Sequence, residues 1–305
     1  MQSTDFITVD VFTVERFTGN PLAVVPDARD LTATQMQQIA AEFGYSESTF
    51  VLPPEGVSNT ARVRIFTPTT EIPFAGHPNV GTAFVLGQYP ELFGRPIGDH
   101  LRFEEIAGLV EVDLLRDSGV VTGATIRAPR PLELGESPLP ELIARCATID
   151  AATVRTTPQA PVIASVGLPF AIAELTDLET LGTARPNLSA FQEAAALHPR
   201  AGGDFSLFLY VRDCENPGHI RARMFAPLDN VTEDPATGSA SAALAALLGA
   251  SDPASNGEIR LTIEQGVEMG RRSVIELAVS KSGGSVTDVR ISGRCVAVMR
   301  GSIAC

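Results

Sequence analysis

The sequence predicts a mixed α/β (α+β) fold made of two similar halves, and three observations carry the prediction. First, Gly19-Asn20-Pro21-Leu22-Ala23-Val24, Arg64-Ile65-Phe66-Thr67-Pro68 and Pro78-Asn79-Val80-Gly81-Thr82-Ala83 are answered in the same order by Gly167-Leu168-Pro169-Phe170-Ala171-Ile172, Arg223-Met224-Phe225-Ala226-Pro227 and Pro235-Ala236-Thr237-Gly238-Ser239-Ala240. A repeat of about half the chain points to a duplicated unit rather than to the short periods of solenoids. Second, Pro78 to Leu86 and Ser241 to Leu248 read as helices that are apolar on every side, which places each inside a domain. Third, most other apolar residues alternate with polar ones over strand lengths.

Taken in order, Phe6 to Phe12 alternates as a strand, the Thr18-Gly19-Asn20-Pro21 turn follows, and a second strand runs to Val25. Met36, Ile39, Ala40 and Phe43 recur at helical spacing, so Thr32 to Phe43 is a surface helix with Thr32 as its cap. Ser48 to Leu52 and Ala61 to Thr67 are strands separated by Pro53-Pro54-Glu55-Gly56, and the first buried helix follows from about Pro78. Leu101 to Ile106, Val110 to Leu115 and Val120 to Ile126 are consecutive antiparallel strands. Ala128-Pro129-Arg130-Pro131 is the proline-marked linker, giving domains 1–128 and 129–305, with the last strand able to pack back on the first domain. The second half repeats the order, with strands at Pro161 to Ser165 and Phe170 to Glu174, a helix at Leu188 to Leu197, and strands at Phe205 to Val211 and Ile220 to Phe225. After the second buried helix come strands at Glu258 to Glu264, Ser273 to Val279 and Val286 to Ile291.

The 305 residues, 44% of them hydrophobic, suffice for two cores of ordinary size. A net charge of −13 repels polyanions, so neither nucleic acid nor an anionic membrane is an expected partner. Met1 to Asp10 lacks the basic and apolar regions of a secretory leader, and no apolar run reaches the ~18 residues of a membrane span, which together predict a cytoplasmic protein. Cys146, Cys214, Cys295 and Cys305 show no paired spacing, and His77, His100, His198 and His219 no metal-ligand rhythm, so neither a disulfide framework nor a metal is expected. Lys281, the single lysine, lies in a Lys-Ser-Gly-Gly turn unsuited to a Schiff base. No P-loop, three-glycine dinucleotide fingerprint or Gly-x-Ser-x-Gly elbow is present, and no cofactor is expected.

The chemistry concentrates at the two helix heads and beside them. Asp234 reads as an N-cap with Pro235 at the first helical position, opening the buried helix onto a site suited to an anion. His77 precedes Pro78 at the other head, where the dipole disfavours protonation; it can cap the helix, contact substrate, or both. Glu47 enters an apolar strand, where desolvation suits a general acid or base; the competing reading is a turn glutamate facing water. Gly76, Gly81 and Gly238 permit close approach of a ligand or tight helix–strand packing. Ser239 and Thr82 can donate to a ligand or bond back within their helices.

Gly19-Asn20-Pro21, Ser46-Glu47-Ser48-Thr49-Phe50, Pro73-Phe74-Ala75-Gly76-His77-Pro78 and Glu233-Asp234-Pro235-Ala236-Thr237-Gly238-Ser239, in this order across the whole chain, resemble the PhzF-like family of phenazine-biosynthesis isomerases. The resemblance implies the diaminopimelate epimerase fold: two alike domains, each a mixed sheet or barrel curled around a central buried helix, with the active site in the cleft between them. It implies Glu47 as the acid/base, His77 and Asp234 assisting it, and Gly76, Asn79, Gly238 and Ser239 as substrate contacts. Asn79 stands where many relatives carry a smaller or hydroxylated residue, which changes the polarity beside the site. The epimerase branch uses two cysteines at the helix heads, and here those positions hold no thiol, so a one-base, cofactor-free proton shift on a small anionic organic substrate is expected. A homodimer is expected by the same analogy. The competing functions are a small-ligand binding protein without turnover, and a racemase or epimerase that pairs Glu47 with a second base.

Overall fold

In the computed structural model, which describes residues 3–199 and 205–304, the chain divides into two units, Met1–Arg127 with Ile291–Cys305, and Ala128–Arg290. The first unit opens with β1 (Ser3–Val11) and β2 (Asn20–Val25), an antiparallel pair with Ile7 opposite Val24. Helix α1 (Ala33–Phe43) starts at a Thr32–Gln35 capping box and stops at Gly44, whose φ of 63° only glycine adopts without cost. Strand β3 (Glu47–Leu52) lies parallel to β2, β4 (Ala61–Phe66) antiparallel to β3, and the short β5 (Glu71–Ile72) antiparallel to β4. After α2 (Gly76–Leu86) and the small hairpin of β6 (Glu91–Leu92) and β7 (Arg95–Pro96), β8 (His100–Glu105) returns parallel to β4. Strands β9 (Gly108–Asp117) and β10 (Val120–Arg127) then add as antiparallel neighbours.

The final strand of the chain pairs with both β10 and β1, so β1, β2, β3, β4, β8, β9, β10 and that strand close into an eight-stranded barrel. Closure leaves the ring without an open edge. Its interior holds α2, all eleven residues of which are buried. Side chains such as Val80, Phe84 and Leu86 each contribute roughly 1.5–3 kcal/mol by leaving water. Gly81 faces the wall so closely that a Cβ would lie 2.6 Å from Leu22 and 2.8 Å from Val11, which makes it a packing glycine. The Thr82 hydroxyl meets that of Thr49 on β3 at 2.8 Å and ties helix to wall.

The second unit contains β11 (Glu133–Leu134), α3 (Pro140–Ala147), β12 (Val162–Ser165), β13 (Pro169–Glu174), α4 (Leu178–Thr183), α5 (Leu188–Leu197), β14 (Leu207–Arg212), β15 (His219–Ala226), β16 (Val231–Asp234), α6 (Gly238–Ser251), β17 (Gly257–Gln265), β18 (Ser273–Ser282) and the start of β19 (Ser285–Ala304). Here β13 is parallel to β14, β14 antiparallel to β15, β15 antiparallel to β16 but parallel to β17, and β17 antiparallel to β18. The same succession links β2, β3, β4, β5, β8 and β9 in the first unit. Helix α6 packs on β12, β13, β17 and β18, while α3 and α5 cover a separate apolar cluster around Phe191, Phe205 and Leu209. Among the described residues no helix is long and apolar enough to cross a membrane.

Two expectations change. Helix α6 begins at Gly238 with Thr237 as N-cap, so Asp234 is the end of β16 rather than a cap and Pro235 lies before the helix. Helix α2 begins at Gly76 with Ala75 as N-cap, so His77 sits inside the first turn. The two glycines aligned by sequence are therefore not equivalent: Gly81 is within its helix and Gly238 is the first residue of the other.

Candidate active site

The strand β3 starts at Glu47 because the chain leaves α1 through Gly44 and is drawn into register beside β2, with Glu47 opposite Leu22. Ser48 to Val51 are buried, whereas Glu47 keeps 18% of its side chain exposed at the end of the strand. His77, in the first turn of α2, is 5% exposed, and its Nε2 lies 3.5 Å from Glu47 Oε2. Desolvation pushes the imidazole down to about 3, against a weaker opposing effect of a hydrogen bond with the Pro21 backbone. The contact is thus between a carboxyl group and a neutral ring, and a neutral ring has one donor and one acceptor nitrogen. Behind it, the buried Asn20 amide accepts from Ser46 Oγ at 3.2 Å and places Nδ2 3.4 Å from His77 Nδ1. Asn20 belongs to the Gly-Asn-Pro turn, but its role in holding the ring was not legible from the turn alone.

Gly76 and Asn79 occupy the same first turn and are buried. The Asn79 Nδ2 donates to the Ala75 carbonyl at 3.0 Å, and the N-cap residue Ala75 supplies no side-chain cap. Beside Asn79 lies Glu105, which belongs to none of the sequence motifs. It follows Leu101 and Phe103 in the strand alternation of β8 and so faces inward with them. Neither carboxyl oxygen finds a hydrogen bond of good geometry. Desolvation raises this carboxyl to about 8, more than the influence of Asn79 lowers it. The period-2 pattern was the available signal.

In the second unit, Asp234 is 7% exposed and accepts from Thr237 Oγ1 at 2.5 Å. Thr237 is the N-cap residue of α6, yet its side chain makes no capping bond to the helix. The amide of Gln265, at the end of β17 and wholly buried, accepts from Thr237 N–H at 3.0 Å and donates to the Asp234 carbonyl at 2.8 Å and to Thr237 Oγ1 at 3.0 Å. Gly266, with φ +72°, allows β17 to come this close: a Cβ there would sit 2.7 Å from the Pro235 carbonyl oxygen. Gly238 is buried at the first helical position, and Ser239 follows it half-buried with its hydroxyl unengaged among the described residues.

The segments leading to the two helices carry a matching brace. Arg64 binds both carboxylate oxygens of Glu71, at 2.7 and 2.6 Å, and lies over Phe66. Arg223 binds both oxygens of Glu233, at 2.7 and 2.8 Å, lies over Phe225, and donates to the carbonyls of Leu181 and Ala184, each at 2.9 Å. Bidentate pairs of this kind restrict orientation as well as distance. Neither brace was read from the sequence, although both arginines lie in the repeated Arg-x-Phe segments.

Among the described residues no cluster of His, Cys, Asp and Glu is arranged to hold a metal ion. Cys146 and Cys295 are buried free thiols, both pushed up by desolvation, and Cys214 is exposed and free; Cys305 lies outside the described residues.

A model of the phenazine biosynthesis-like protein family matches residues 9–301. The chain belongs to this family. An uncharacterized isomerase of Mesorhizobium japonicum is 37% identical to it over 99% of both chains. The trans-2,3-dihydro-3-hydroxyanthranilate isomerase of Pseudomonas chlororaphis is 35% identical over 98% of both. The crystal structure of the Bacillus anthracis PhzF-family phenazine biosynthesis protein matches with a TM-score of 0.87 over 100% of both chains at 24% identity, a likeness of fold. With these relatives, this phenazine biosynthesis-like protein is an isomerase.

Proposed function

We propose that the isomerase moves a proton between two carbons of a small carboxylate-bearing substrate, without a cofactor, with Glu47 as the acid/base. The observation that carries this reading is Glu47 itself: a carboxyl group at a strand end, largely buried but not sealed off, 3.5 Å from a neutral imidazole. As carboxylate, Glu47 takes the proton from an activated carbon; as carboxylic acid it returns a proton elsewhere on the conjugated system, so enzyme and atom count are restored at the end of the cycle. His77 hydrogen-bonds to the developing charge or passes the proton without becoming a cation. Asp234 and Ser239 bind polar groups of the substrate, and a helix first turn such as that at Gly76 favours a carboxylate. Asn79 sets the polarity beside His77.

The compound to try first is trans-2,3-dihydro-3-hydroxyanthranilate, named for the Pseudomonas relative, followed by cyclic and unsaturated amino and hydroxy acids. In deuterium oxide the enzyme incorporates deuterium into its substrate, and Glu47→Gln lowers that rate by at least ~10³-fold, the range of a lost general acid/base, while leaving ligand binding measurable. Exchange at an undiminished rate in Glu47→Gln would refute the assignment.

A further inference from the structure

We infer that Thr237 and Gln265 form a hydrogen-bond relay that holds the Asp234 carboxylate in its working orientation, which makes Thr237 a positioning residue for this isomerase. The direction of each bond is set by chemistry rather than by choice. The backbone N–H of Thr237 can only donate, so the Gln265 atom 3.0 Å from it is the carbonyl oxygen, and the amide nitrogen is left to face Asp234 O and Thr237 Oγ1. Because Gln265 donates to Thr237 Oγ1, the hydroxyl hydrogen is free to point the other way, onto Asp234 Oδ2 at 2.5 Å.

Thr237 occupies a helix N-cap, where a threonine ordinarily accepts from the first-turn N–H groups, and here it does not. Its hydroxyl serves Asp234 instead, at the expense of a capping bond to the helix. All three side chains are at least nine-tenths buried, at 0% exposure for Gln265, 7% for Asp234 and 8% for Thr237, so water does not replace the relay when a member is removed. The preceding residue, Glu233, points to the opposite face of β16 and is clamped by Arg223. Gln265 thus holds Asp234 through its backbone carbonyl, and Thr237 adds a bond to its side chain.

The inference rests on the proposal that Asp234 contacts substrate, and the test separates the two. Turnover of trans-2,3-dihydro-3-hydroxyanthranilate is compared in wild type, Thr237→Val, Thr237→Ser, Asp234→Ala and the Asp234→Ala/Thr237→Val double variant, with a crystal structure of Thr237→Val. Thr237→Val should raise KM by ~10-fold or more, the scale of one lost hydrogen bond to a charged group, with a smaller change in kcat. Thr237→Ser should restore KM to within about threefold, and the double variant should be no worse than Asp234→Ala alone. In the Thr237→Val crystal the Asp234 carboxylate should leave its present orientation, a readout independent of turnover. An unmoved carboxylate, or additive losses in the double variant, overturns the relay. A damaged Asp234→Ala beside a normal Thr237→Val overturns the relay alone, whereas a normal Asp234→Ala overturns the role of Asp234 on which it rests.

Discussion

His77 Nε2 stands 3.5 Å from Glu47 Oε2, and burial keeps the imidazole neutral while it does so. An imidazolium in that place would tie up the carboxylate as an ion pair; the neutral ring leaves Glu47 available to take a proton and remains able to donate one. Burial at the head of α2 produces this state by excluding water.

The same burial makes His77 an acid-sensitive element of the fold. Its folded-state value of about 3 lies below the ordinary 6.5, so between those values the unfolded chain binds a proton that the native chain does not. The stabilisation is complete above pH 6.5 and is lost as the pH falls toward 3, by an amount on the order of a few kcal/mol. Urea titrations of wild type and His77→Gln at pH 7 and pH 4.5 should show a smaller loss of stability on acidification in the variant. An equal loss in both proteins would show that His77 is not the group responsible.

Glu105 acts in the opposite pH range. Its carboxyl, raised to about 8 by desolvation, stays protonated in the native state while the unfolded chain releases its proton near 4.5. Native stability therefore declines as the pH rises from about 4.5 to about 8 and levels off above. Glu105→Gln keeps the shape and abolishes the titration, so it should be more stable than wild type at pH 9 by a few kcal/mol, on the order expected for several pKa units. At pH 4 the two should agree closely. Guanidinium unfolding at the two pH values measures both differences.

The two arginine braces differ in depth, and the difference predicts unequal costs. Arg223 is 3% exposed and Arg64 19%. Glu233→Ala leaves a buried guanidinium with no counter-ion and should cost roughly 3–5 kcal/mol. Glu71→Ala, beside the better-solvated Arg64, should cost roughly 1–2 kcal/mol. Chemical denaturation of the two variants would show the order; equal costs would mean that burial does not set the strength of these pairs.

The longer strands and α1 were legible because alternation, helical spacing and a threonine cap are local signals, and α5 was found at its full extent, Leu188–Leu197. The heads of the buried helices were misplaced for a physical reason. Asp-Pro is a good helix start by local rules, but the Gln265 amide holds Asp234 and Thr237 from 31 and 28 residues away and delays the first turn to Gly238. No local pattern announces that contact. Helices α3 and α4 are short enough that proline and aspartate caps, rather than periodicity, mark them. Glu47 and His77 were legible as chemistry-bearing residues from their motifs, whereas Asn20, Glu105, Thr237 and Gln265 acquire meaning from what folds against them.

Strand β19 was expected to end near Ile291 and instead continues to Ala304, where it supplies the eighth stave of the barrel around α2. During vectorial synthesis the unit that emerges first is consequently finished last. Until residues 295–304 arrive, β1 lacks the partner that covers its outer side. A nascent chain must carry that unpaired strand through the synthesis of the whole second unit, with the pairing of two sequence-distant strands as its closing step.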